Sequence, residues 1–366
     1  MAAECQIGRA KMTQPRLNNF RYDSRILNSA KSAKQPALQV IATKLCSRGE
    51  AMTNNDTTPV KPPRRRPWWR SHWLMPVRIY LVLLVMLAVF QRSLIYHPRK
   101  VDDILPVDSG FADSQVHEVT VTADDGTALH GWFHPAGAQS CVSHAEYSEQ
   151  LQSDRPVVIV FCGNAGHRGN RDDVLRLFSA LGVDTLIFDY RGYGDNDGSP
   201  SESAILADSR AIWRHVTDEQ QVAPERMIIF GESLGGGVAT QLAAHACRSG
   251  EVPRALVLQA TFSSLVDAAG YHYPWLPVRW LLLDRFDSQA VVPEVNCPLL
   301  HLHGTADEVV PFVLGQRLFA RAPQASHTGV PKQFVELPDI GHNNIDRTEF
   351  SEYGRAISGF LKQISP

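Results

Sequence analysis

Gly231-Glu232-Ser233-Leu234-Gly235 is the part of this sequence with the clearest chemistry. It follows an apolar run, Met227-Ile228-Ile229-Phe230, that reads as a buried parallel strand. It leads into Gly235-Gly236-Gly237-Val238-Ala239-Thr240-Gln241-Leu242-Ala243-Ala244, which reads as a helix with a bare first turn. In that strand–turn–helix setting the serine is forced into a strained turn, and the flanking glycines keep strand and helix from colliding. The hydroxyl then projects above the sheet, and the Leu234 N–H lies at the positive end of the helix. Ser233 is therefore the candidate nucleophile.

A serine needs a base, and the base needs an acid to orient it. After an elbow of this kind the expected chain order is serine, acid, histidine, with the last two in loops after later strands. Leu299-Leu300-His301-Leu302-His303-Gly304-Thr305-Ala306-Asp307 puts Asp307 just past a strand end, and 333–342 does the same for His342. Asp307 is the candidate acid and His342 the candidate base; Asp339, on the histidine's own loop, is the fallback acid. An oxyanion needs two preorganised N–H donors. Leu234 supplies one, and the loop Cys162-Gly163-Asn164-Ala165-Gly166-His167 is expected to supply the other from Asn164. His301 and His303 share one strand face without a third ligand, so they read as structural and no metal site is expected. The six cysteines show no C-x-x-C or metal-ligand spacing; one disulfide among Cys141, Cys162, Cys247 and Cys297 is left open.

These side chains need a scaffold. Apolar runs at 157–161, 185–188, 227–230, 255–258, 299–302 and 333–337 alternate with helical stretches such as 172–181 and 202–216. That pattern predicts a mostly parallel sheet covered on both faces, with the site at the carboxyl ends of the strands. Upstream, 116–121 and 128–133 flank Asp124-Asp125-Gly126, a hairpin signal. The polar stretch 136–155 reads as a surface insertion.

The charge is divided along the chain. Residues 1–70 carry fourteen Lys/Arg against four Asp/Glu, a net +10, while the remainder carries 22 against 34, a net −12. Residues 1–67 read as a disordered basic tail, and the acidic remainder argues against a nucleic-acid surface. Between them, 73–95 reaches membrane-spanning length if Arg78 and Arg92 snorkel to the interfaces, with Trp68, Trp69, Trp73 and Tyr96 suited to the interfacial belts. No small-x-small site follows the apolar run, which favours an uncleaved transmembrane anchor over a signal peptide. The basic cluster before it predicts a cytoplasmic N-terminus and a large domain, 101–366, on the opposite side.

Six motifs now carry a family likeness: Gly-Asn-Ala-Gly-His at 163–167, Asp-Tyr-Arg-Gly-Tyr-Gly at 189–194, the elbow at 231–239, Thr-Phe-Ser-Ser at 261–264, His-Gly-Thr-Ala-Asp-Glu-Val-Val-Pro at 303–311, and Gly-His-Asn at 341–343. In this order they resemble the Bem46-type α/β-hydrolases, the branch that includes mammalian ABHD-type membrane-associated hydrolases, from about Leu94 to the C-terminus. The resemblance implies an eight-stranded α/β-hydrolase sheet, a triad of Ser233, Asp307 and His342, and no cofactor. It also implies that 189–194 is a structural turn. The family usually has His where this chain has Cys162, a departure that bears on the shape of the oxyanion loop.

The stretch 262–293 is rich in large apolar residues, among them Tyr273, Trp275, Leu276, Trp280 and Phe286, and by position forms a small helical cap. An apolar cap suits an acyl chain; the same residues would also serve simply to pack the cap onto the body. The sequence therefore predicts a membrane-anchored serine hydrolase cleaving esters or thioesters, its partners a hydrophobic acyl-containing small molecule and the lipid bilayer. A serine peptidase, an acyltransferase and a non-catalytic binding module on the same fold stand as alternatives.

Overall fold

Runs of aliphatic residues too apolar to leave either face in water set the architecture. In the computed structural model, which describes residues 74–365, they form one eight-stranded sheet. Its strands are β1 (His117–Thr122), β2 (Ala128–His134), β3 (Val157–Phe161), β4 (Asp184–Phe188), β5 (Met227–Glu232), β6 (Ala255–Gln259), β7 (Leu299–Gly304) and β8 (Gln333–Leu337). Their spatial order is β8-β7-β6-β5-β3-β4-β2-β1, and β2 alone runs opposite to its neighbours. This is the α/β-hydrolase architecture expected. Side-chain alternation divides each buried strand between two cores: Val157, Ile159 and Phe161 join one, Val158 and Val160 the other.

Helices, among them α3 (Asp172–Ala180) and α4 (Glu202–Arg214), cover both cores, and β5 lies mid-sheet, so the turn that follows it opens at the centre of the sheet. Helix α5 (Leu234–Ser249) starts directly from that turn and packs across β3. A Cβ at Gly235 would stand 2.0 Å from the Phe161 carbonyl oxygen, which is why the first turn must be bare. The insertion expected at 136–155 is more than surface: α2 (His144–Leu151) is capped by Ser143 and buries Tyr147 and Leu151, spaced i, i+4, in the core. Tyr147 meets Phe133 edge-on at 5.0 Å and bonds His215 at 3.1 Å, so the element closes the sheet beneath the β1–β2 hairpin.

Ahead of the sheet, α1 (Met75–Ile95) is long and apolar enough to cross a membrane, its 21 residues spanning about 31 Å. The basic tail 1–67, Trp68, Trp69 and Trp73 lie outside the described residues. One expectation for its C-terminal end is corrected: Tyr96, placed in an interfacial belt by sequence, is 2% exposed and its hydroxyl donates to Asp284 at 3.0 Å, while the half-exposed Arg92 donates its Nε to the same carboxylate at 3.1 Å. A buried acid on the cap recruits both. The cysteines Cys141, Cys162, Cys247 and Cys297 are free and buried.

Gly235→Ala should lower the melting temperature by several degrees, for overpacking costs about 1–3 kcal/mol or more. An unchanged thermal unfolding midpoint would show that α5 can stand off from β3.

Candidate active site

The turn after β5 holds Ser233 at φ 53°, ψ −115°, a conformation that costs a non-glycine residue about 1–3 kcal/mol. Neighbouring strand ends enforce it. The Ser233 N–H donates to the Gln259 carbonyl at 2.9 Å, and the Thr261 hydroxyl donates to the Ser233 carbonyl at 2.8 Å. Glu232 is fixed between Arg171 at 3.2 Å and Arg347 at 3.3 Å. The Ser233 oxygen thereby faces the loop after β8, where His342 Nε2 stands 3.1 Å away. His342 Nδ1 donates to Asp307 Oδ2 at 2.7 Å. The structure thus brings Ser233, His342 and Asp307 into one hydrogen-bonded chain, the arrangement that lets a base take a serine proton while an acid fixes its tautomer.

Asp307 is 6% exposed, so burial works to raise its pKa. Hydrogen bonding from His303 and His342, the charge on His342 and the Val310 N–H outweigh that, and the carboxyl lies well below the ordinary range. It is ionised wherever the imidazole needs a partner. Its other oxygen, Oδ1, accepts from the Val309 and Val310 N–H groups at 2.9 and 2.8 Å. Asp339, the fallback acid, is exposed and makes no contact with His342 among the described residues; its N–H donates to Thr305 Oγ1 instead.

His303, read from sequence as structural, lies closer to the chemistry than that. Its Nε2–H donates to the Val310 carbonyl at 2.9 Å and stands 3.4 Å from Asp307 Oδ2, so it buttresses the loop that carries the acid. Helix α9 (Phe312–Arg321) crosses it at Gly315, where a Cβ would meet His303 Nδ1 at 2.2 Å. The signal was present: His303 stands four residues before Asp307, inside the motif shared with the family. His301 is fully buried with both ring nitrogens unpartnered among the described residues, and burial lowers its pKa strongly, so it is a neutral core residue.

Leu234, the first residue of α5, presents an N–H with no intrahelical acceptor, and Asn164 lines the same cavity as Ser233. The Asn164 carbonyl accepts from the His97 N–H at 3.0 Å and the Tyr193 hydroxyl at 2.9 Å, and its Nδ2 donates to the Ile95 carbonyl at 3.0 Å. Among the described residues its N–H has no acceptor. The Tyr190 hydroxyl holds the preceding Cys162 carbonyl at 2.8 Å. The 189–194 turn is itself pinned by Arg168, whose guanidinium contacts Asp189 at 2.7 Å and Asp195 at 2.6 Å. Its tyrosines thus hold the 162–167 loop. Burial pushes the Cys162 thiol up to about 12, so this residue packs the loop as a neutral thiol.

From Ser233 a cavity of about 510 Å³ runs under the cap, a volume typical of small-molecule sites. The cap is built from α6 (Leu265–His272), α7 (Val278–Leu281) and α8 (Ser288–Val291). Its apolar residues divide. Tyr273, Trp275, Leu276, Leu281 and Leu282 line the cavity, whereas Phe286 is fully buried against the body at Gly237. The cap therefore does two things: some of its apolar residues line a cavity and others pack it onto the body. No group of three or more metal-ligating side chains occurs among the described residues.

Comparison with known proteins places this geometry in a lineage. A sequence model of the family described as serine aminopeptidase, S33, matches residues 152–283. An uncharacterized protein of Mycobacterium tuberculosis is 36% identical over 280 residues, covering 75% of this chain and 88% of that one. The lysophosphatidylserine lipase ABHD12 of Danio rerio is 32% identical over 321 residues, covering 80% and 83% respectively. The Pyrococcus furiosus esterase Pf2001 superposes with a TM-score of 0.53 at 18% identity, over 74% of this chain and 100% of its own, a likeness of fold.

Asp307→Asn should leave the fold intact while kcat for an ester substrate falls by about 10³–10⁴, because the imidazole loses its tautomer and its counter-charge. A loss below tenfold would show that another group orients His342.

Proposed function

Since the chain belongs to the ABHD-type α/β-hydrolases and is a lipase/esterase-type enzyme of that family, we propose that it is a membrane-anchored hydrolase of lipid-derived carboxylic esters or thioesters. Ser233 Oγ attacks the acyl carbon as His342 Nε2 takes its proton. The tetrahedral oxyanion is held by the N–H groups of Leu234 and Asn164. The imidazolium then gives its proton to the leaving oxygen or sulfur, which departs and leaves the acyl group on Ser233. Water, deprotonated by the same nitrogen, releases the acid. Asp307 remains a carboxylate throughout.

The observation that carries this reading is the 3.1 Å and 2.7 Å chain from Ser233 through His342 to Asp307, opening on an apolar cavity. The name of the matched family raises an aminopeptidase as the second reading. An aminopeptidase must hold a free α-ammonium group, and among the described residues no Asp or Glu lines the cavity. Its walls suit a hydrocarbon chain instead, in keeping with the lipase named among the relatives.

We take α1 as the anchor, its N-terminus cytoplasmic because the basic cluster precedes it. The hydrolase domain, residues 101–366, then faces the other side. With sealed vesicles that keep the outer face outward, added protease should cut the hydrolase domain and spare an epitope placed at residue 1. The reverse pattern would overturn the orientation.

Detergent-solubilised protein should react with a fluorophosphonate probe, and Ser233→Ala should abolish the labelling and lower kcat by about 10⁴–10⁶. Turnover of nitrophenyl esters should rise with acyl length. Labelling that survives in Ser233→Ala would remove Ser233 from the reaction.

A further inference from the structure

Helix α1 is bound to the enzyme along much of its length. The Tyr80 hydroxyl donates to the Trp275 carbonyl at 3.0 Å. Gln91 Nε2 donates to the Leu281 carbonyl at 3.2 Å, and its Oε1 accepts from the Leu283 N–H at 2.8 Å. Arg92 and Tyr96 meet Asp284. From Tyr80 to Arg92 the axis advances about 18 Å at 1.5 Å per residue, so the cap lies beside more than half of a helix able to cross a bilayer.

The face that α1 turns to the cap is a stripe at helical spacing. Leu83, Leu87, Gln91 and Leu94 line the same cavity as Ser233. The opposite stripe, with Val85 and Val89, is exposed, Val89 at 67%. The cap itself leaves large apolar side chains outward beside α1: Trp280 is 85% exposed, Leu283 68% and Trp275 57%. An apolar face of this kind is unfavourable in water. In hydrocarbon it is favourable, provided polar groups find internal partners. Tyr80 and Gln91, two polar groups set among these apolar side chains, do find them, each on the backbone of the cap, while the exposed Arg279 side chain is long enough to reach the membrane surface.

We infer that α1 is a wall of the acyl-binding cavity and that the cap lies in the membrane beside it, so that the acyl chain of a bilayer-resident ester enters the cavity between them. This inference rests on the ester-hydrolase reading and assigns the anchor a second role, as a determinant of chain-length preference. The long chain lies along Leu83 and Leu87 while its carbonyl reaches Ser233. A short acyl group does not extend that far.

The test uses the full chain in phosphatidylcholine vesicles, comparing kcat/KM for nitrophenyl palmitate and nitrophenyl butyrate. Leu87→Trp fills the cavity from the anchor side and should lower the palmitate-to-butyrate ratio about tenfold, the equivalent of roughly two methylenes left unburied. Val89→Trp, on the lipid-facing stripe, should leave the ratio unchanged. A ratio unaltered in Leu87→Trp, or lowered equally in Val89→Trp, overturns the inference.

A second readout does not depend on turnover. Diazirine-bearing palmitate in the vesicles should crosslink to residues 262–269, which line the cavity at Phe262, Leu265, Ala268 and Ala269. It should do so in the wild type and in Ser233→Ala, and fail in Leu87→Trp. Crosslinking without Ser233-dependent hydrolysis would sink the ester-hydrolase reading and leave the cavity assignment standing. Hydrolysis without crosslinking at 262–269 would do the opposite.

Discussion

The backbone at Ser233 is the constraint on which the rest of this structure depends. A residue with a side chain is held at positive φ, and the conformation persists because contacts from three other segments over-determine it. The N–H is taken by the end of β6, the carbonyl by Thr261 just beyond it, and the preceding Glu232 by two arginines from separate segments. Releasing any one of these would let the turn relax and swing the hydroxyl away from His342. Strain of this kind is retained only where surrounding packing outweighs it. The bare first turn of α5, pressed against the Phe161 and Cys162 carbonyls, supplies that packing.

The same pattern recurs at the loops that carry Asp307 and His342, with less strain and more hydrogen bonding. Asp307 is locked by two backbone N–H groups and by His342, and the loop before His342 is turned by Asp339 at φ 57°. The 162–167 loop is held by the Tyr190 and Tyr193 hydroxyls, on the Cys162 and Asn164 carbonyls. Thus the 189–194 motif, which touches no reacting atom, sets the position of one proposed oxyanion donor. Its own rigidity comes from a buried arginine between two aspartates, an arrangement expensive to desolvate unless every charge is matched.

Much of this was legible in sequence because it rests on local rules. The elbow announces itself through glycine spacing. The strands announce themselves through continuous apolar runs, and the acid and base through their places after strand ends. What was not legible depends on contacts between residues far apart in the chain. Tyr147 and Leu151 sit in a segment polar on average, and only their i, i+4 spacing marks a buried face. The motif places His303 four residues before Asp307, but its contact with the acid forms only when the loop folds back to bring Val310 and Asp307 onto its ring. Arg92 and Tyr96 follow the composition rule for a membrane interface, yet Asp284, 188 residues beyond Tyr96, claims both. No periodicity within either segment reports that pairing.

That long-range pairing changes what an anchor means in this molecule. A tether needs only length and hydrophobicity, and it would be joined to its enzyme by a linker free to swing. Here α1 ends at Ile95, whose carbonyl accepts from the Asn164 side chain, and His97 two residues later donates to the Asn164 carbonyl. Helix α1 and the 162–167 loop are therefore joined in one hydrogen-bonded unit. A shift of α1 would act directly on Asn164, which lines the cavity. The cap cannot move away from α1 without breaking the Gln91 and Asp284 contacts, nor settle onto α1 without narrowing the cavity. The cap and the 162–167 loop are both hydrogen-bonded to a helix of 21 residues that composition alone would describe as a plain membrane span.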